Sequence, residues 1–179
     1  MKKILAGGIL GLGVMLTAMS AGFSQEPQTD HPQANPLAPF ERLIGGEWHL
    51  DGSYLELEWG VGRTSVRSRS YFVGEGSPRL VSEGIWFWHP GEEEIRGVFT
   101  AVDMPAVLFD YTTTFDGDRM VNDLRTYDAA GSETVYVETW ELIDDSHYEW
   151  RLLADSPDGL QEVMSGTYER KGRGQDRPH

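Results

Sequence analysis

The sequence predicts an all-β protein: an antiparallel up-and-down barrel of about ten strands, preceded by a short helical turn. Three observations lead there. Short runs rich in Val, Thr, Tyr, Trp and Phe fill the chain from residue 46 to residue 170, with no sustained helical period between them. Clusters of glycine, proline and aspartate interrupt these runs roughly every ten to fifteen residues, which is hairpin spacing. A meander of that length must also hide its edge strands, and closing into a barrel removes them. A two-sheet sandwich is the alternative, but it usually requires longer crossing connections.

The elements follow in order. Residues 1–24 have the layout of a secretory signal peptide: Lys2 and Lys3, then an uncharged apolar stretch from Ile4 to Ala18, then small residues (Ser20, Ala21, Ser24) before the chain turns polar at Gln25. The apolar run is short for a membrane span, and cleavage is expected near Ser24, with Ser20 or Ala21 as alternatives. Residues 25–36 read as a flexible Pro-rich linker. The barrel domain covers 37–170. It opens with Leu37, Phe40, Leu43 and Ile44 at helical spacing, stopped by Gly45. Strands are expected near 46–50, 53–59, 63–73, 79–88, 93–101, 106–115, 119–127, 133–143, 146–154 and 160–170. Residues 171–179 read as a charged, disordered tail.

Composition narrows the function classes. The formal net charge is −14, and loss of residues 1–24 with their two lysines makes it more negative. Nucleic acid and anionic membranes need a basic footprint, so neither is an expected partner. The chain has no cysteine, which excludes disulfides, thiolate metal sites and a cysteine nucleophile. An exported domain without disulfides depends on its own core, and this length suffices for one.

Several strands are apolar on both faces. In "RLVSEGIWFWHP", Val81, Ile85 and Phe87 share one face while Leu80, Trp86 and Trp88 share the other. Such strands either line a cavity or have a covered outer face.

Gly46-Glu47-Trp48 resembles the G-x-W motif that opens the first strand of lipocalins and their calycin relatives, placed just after a short helical turn as in those proteins. In that family an arginine late in the barrel commonly lies across the tryptophan. The resemblance assigns that role to Arg170 in "GTYER", so Gly46, Trp48 and Arg170 are the expected closure of the barrel floor, joined by cation–π contact. The stretch 37–170 resembles uncharacterised secreted lipocalin-like domains of bacteria. "SEG" at 82–84, followed by Trp86, is also similar to a segment of nitrobindin-type haem barrels. Those barrels hold haem through a histidine in a late strand, and "GLQEVMSGTYERK" has none. Haem binding is not carried over, and no cofactor is expected.

Candidate chemistry is sparse. His49, His89 and His147 form no H-x-H, H-x-x-H or H-E-x-x-H, so no metal site is expected. No serine lies in G-x-S-x-G and no glycine run matches a phosphate loop. Ser165-Gly166 reads as strand with a closely packed backbone. Glu56 and Glu58 read as a solvent face. Glu83 shares its face with Val81, Ile85 and Phe87, and Glu138 shares its face with Tyr136, Trp140 and Leu142. A carboxylate on such a face needs a partner or a shifted pKa, with Arg67, Arg69, Arg96 and Arg125 as the available cations. Aromatic walls with a few polar groups suit a small-molecule cavity and equally a filled core. The ligand-binding candidates are Tyr71, Glu83, Trp86, Glu138 and Trp140.

The leading expectation is an exported bacterial protein, periplasmic or extracellular and monomeric or homodimeric. It binds a small, largely apolar molecule or serves as a filled-barrel scaffold, and it has no transmembrane segment once processed. One alternative is a barrel hydrolase or isomerase using Glu83 or Glu138. Another is a carbohydrate-binding module, which requires a row of exposed tryptophans.

Overall fold

The computed structural model describes residues 34–74 and 76–172. The signal peptide, most of the linker and the end of the tail, as read from the sequence, lie outside these residues.

The chain forms a closed barrel of ten antiparallel strands: β1 (Glu47–Leu50), β2 (Ser53–Trp59), β3 (Ser65–Phe72), β4 (Arg79–His89), β5 (Glu94–Ala101), β6 (Leu108–Asp116), β7 (Arg119–Tyr127), β8 (Glu133–Leu142), β9 (His147–Ser156) and β10 (Gly159–Lys171). Each strand pairs with its neighbours in sequence, and β1 closes the ring by pairing with β10. That pairing excludes the sandwich. The expected strands are found with small shifts at their ends, because positive-φ glycines such as Gly52, Gly117 and Gly159 turn the chain where the sequence marks hairpins. A 3-10 helix, Ala38–Leu43, precedes the barrel.

Antiparallel order gives the barrel two different ends. The turns at 60–64, 90–93, 117–118 and 143–146 lie at one end, the floor. The turns at 51–52, 102–107, 128–132 and 157–158, and the connection from β3 to β4, lie at the other, the mouth. The 3-10 helix crosses the floor. It is too short to be stable alone, and its apolar side holds it there. Leu37, Phe40 and Leu43 are fully buried. Phe40 packs against Trp86 at 5.3 Å and edge-on to Phe115 at 5.0 Å. Its polar side is tied to the floor turns, Arg42 to Asp118 and Asp145 and Glu41 to Arg63.

The floor closure is centred on Trp48, which is completely buried. Its indole N–H donates to the Leu43 carbonyl at 3.0 Å. Its ring lies under the Arg170 guanidinium at 4.2 Å, directly across the β1–β10 ladder. Arg170 also donates to the Arg42 carbonyl, so one side chain joins the last strand, the first strand and the helix. Burial lowers the Arg170 pKa from its ordinary value. Gly46 adopts φ +73°, and a Cβ there would sit 2.9 Å from the Lys171 carbonyl oxygen. A side chain at that position would therefore be strained and would push β1 off β10.

Small residues in the strands make room for large ones inside. A Cβ on Gly97 would lie 2.6 Å from the Trp86 ring, one on Gly84 2.4 Å from the Phe99 ring, and one on Gly166 2.8 Å from Leu50. The close backbone packing expected at Gly166 is therefore present, with Leu50 as its neighbour.

Candidate functional site

Strand alternation and register place the inward positions. The face of β8 carrying Tyr136, Glu138, Trp140 and Leu142 points inward. Across the ladders Glu138 stands opposite Asn122 on β7 and Leu152 on β9, and Asn122 stands opposite Thr113 on β6. These residues form a hydrogen-bonded chain around a buried carboxylate. Thr113 Oγ1 donates to Asn122 Oδ1 at 2.6 Å, and Asn122 Nδ2 donates to Glu138 Oε2 at 2.7 Å. Trp150 Nε1 donates to Glu138 Oε1 at 2.7 Å. Asn122 and Glu138 are both buried, Glu138 to 6 % exposure.

Burial is the main influence on Glu138 and pushes its carboxyl above the usual carboxylate range. The hydrogen bonds from Trp150 and Asn122 favour the ionised form and offset part of that rise. The Trp140 indole N–H acts the same way more weakly. It lies near Glu138 but outside hydrogen-bond geometry, and it has no other partner. Three tyrosines surround the carboxylate. Burial raises the pKa of Tyr111, Tyr148 and Tyr168, and the charge of Glu138 raises each further. Tyr148 stacks between Trp140 at 5.0 Å and Tyr168 at 4.7 Å. Its buried hydroxyl finds no hydrogen-bond partner among the described residues.

The inner wall changes towards the mouth. Glu138 is buried, its β9 partner Leu152 is half-buried, and Leu152's partner Met164 on β10 is 58 % exposed. One step higher, Tyr136 and Ala154 are half-buried as well. The mouth turns and strand ends around this opening carry exposed apolar side chains: Phe72, Leu80, Val102, Met104, Leu160 and Met164. The floor differs. It contains a cleft of ≈ 180 Å³ between the helix and the 117–118 turn, walled by Met120 and Trp140. That volume is below the roughly 300 Å³ at which small-molecule sites begin.

The structure separates the five candidate residues. Trp86, Glu138 and Trp140 point inward, and Trp86 and Trp140 meet edge-on at 5.9 Å. Tyr71 and Glu83 lie on the outer face. Tyr71 stacks on Tyr54 at 4.7 Å. Glu83 is exposed, beside an Ile85 that is 41 % exposed. Two-sided strands misled here: β4 is apolar outside as well as inside, and Trp86, facing Gly97, decides which face turns in. The arginines expected to reach these carboxylates turn outward. Arg67 and Arg69 pair with Glu58 at 3.2 and 3.0 Å, Arg96 pairs with Asp110 at 2.9 Å, and Arg125 lies 3.8 Å from Glu133.

Sequence reasoning missed Asn122, Thr113, Trp150 and Tyr148 as members of this cluster. Asn122 had a visible signal, since it alternates with Met120 and Leu124 on an apolar face, as Glu138 does with Trp140. Trp150 and Tyr148 had none, because only the β8–β9 register brings them to Glu138. None of the six tryptophans is exposed, so the outer row that a sugar-binding platform requires is absent.

Compared with known proteins, the chain matches no family model and no curated protein. The closed ten-stranded up-and-down barrel agrees with the architecture that the lipocalin resemblance implies.

Proposed function

We propose that this protein is an exported, lipocalin-like binding barrel that accepts a small, largely apolar ligand through its mouth. The observation that carries this reading is the difference between the ends. The floor is closed by Trp48, Arg170 and the packed 3-10 helix. The mouth joins exposed apolar side chains to a partly exposed inner wall. Apolar side chains left in water at the rim of an opening are costly, and a ligand that covers them is stabilised. Export rests on the signal-peptide layout of residues 1–24. The enzymatic alternative is weaker. Glu83 faces solvent, and Glu138 is bound by Asn122 and Trp150, neither of which exchanges protons.

Native mass spectrometry of the purified protein is expected to show a co-purifying small molecule. The stripped protein is expected to bind the apolar fluorophore N-phenyl-1-naphthylamine saturably at one equivalent, and Leu152→Trp, which fills the inner wall beside the opening, to weaken that binding. A stripped protein that shows neither a bound mass nor saturable binding would refute the reading.

A further inference from the structure

Glu138 is a buried carboxyl without a counter-charge. Its two oxygens accept from Asn122 and Trp150, both uncharged donors, and no cation pairs with it among the described residues. A buried carboxylate without a counter-charge is a costly arrangement. Its walls are aromatic: Trp140 and Trp150 on adjoining strands, then Tyr148 and Tyr168 stacked beneath them. Aromatic faces attract cations, and here the uncovered ones are the outer faces of the Trp140–Tyr148–Tyr168 stack. Tyr148 adds a buried hydroxyl with no partner. Exposure rises from the carboxylate towards the mouth. Successive strands lie about 5 Å apart, so the 58 % exposed Met164 is two strand steps from the carboxylate along one rung.

We infer that the ligand carries an ammonium group on its apolar body and that Glu138 is its counter-ion inside the barrel. This rests on the mouth-binding reading and specifies the chemical class it admits. A metal ion fits the donors poorly. Calcium takes six or more oxygens, Glu138 supplies one carboxylate, and no cluster of three or more His, Asp or Glu exists among the described residues. An ammonium group needs only one carboxylate as its counter-ion.

Three probes with one apolar body separate the possibilities: 4-phenylbutylamine, 4-phenylbutanol and 4-phenylbutanoate, titrated at neutral pH by calorimetry and by Trp fluorescence. The wild-type protein is expected to bind the amine about tenfold more tightly than the alcohol, the gain of one charge-assisted contact, and the carboxylate most weakly. Glu138→Gln is expected to bring the amine-to-alcohol ratio to about one. Equal binding of amine and alcohol by the wild type would overturn this inference while leaving the mouth-binding reading intact. A preference that survives Glu138→Gln would also overturn it. Binding of none of the three would overturn both. The wild-type comparison stands without the variant, so a poorly folded Glu138→Gln does not remove the test.

Discussion

At the scale of single residues, one carboxylate dominates the interior. The rise in the Glu138 pKa has a thermodynamic consequence of definite sign. The folded protein holds this proton more tightly than the unfolded chain, whose carboxyl has the ordinary value of 4.5. The native state is therefore favoured by acid at this site, fully so below 4.5, and it loses that advantage as pH rises through the folded value. Glu138→Gln has no such dependence. The melting temperature of wild type relative to Glu138→Gln is expected to increase as the pH is lowered from 8 to about 4, measured by scanning calorimetry at matched ionic strength. A constant difference across that range would mean that burial does not perturb this carboxyl. Trp48 and Arg170 show the opposite situation. There a cation is stacked on an indole and bonded to a carbonyl, and burial lowers its pKa instead of raising it.

Among the elements, the 3-10 helix contributes more than its six residues indicate. Phe40 is fully buried between Trp86 and Phe115, so Phe40→Ala is expected to cost about 3–5 kcal/mol, read from urea denaturation. A loss below about 1 kcal/mol would show that the helix is an ornament on the barrel rather than its plug. The elements were also what the sequence made most legible. Turn chemistry at Asp51-Gly52, Asp116-Gly117 and Asp158-Gly159 is local, and so is alternation, which is why the strand boundaries were readable. Facing was legible only where one side of a strand is polar. On β8 the apolar side carries Tyr136, Trp140 and Leu142, and Glu138 followed correctly. On β4 both sides are apolar, and the choice depends on Gly97 lying across the sheet from Trp86. That contact between strands is invisible along one of them.

For the whole molecule, the closure is uneven from floor to mouth. The β1–β10 register covers only Glu47–His49 against Lys171–Glu169, so above this point the only strand laddered to β10 is β9. The bulge between Glu162 and Met164 falls in that stretch. Such bulges commonly discourage further strand pairing at an edge. Hydrogen exchange followed by mass spectrometry is expected to show rapid exchange in residues 159–167 and strong protection in β7, which is paired on both sides along its length. Uniform protection along β10 would mean that the seam is closed by another contact. The same geometry sets an orientation. The 3-10 helix and the end of β10 both lie at the floor, so the described chain arrives and departs on the side opposite the mouth. A tether attached beside Ala34 or Gly172, to a carrier, a bead or a cell surface, would leave the mouth pointing away from it, and the barrel could be displayed or immobilised with that end uncovered.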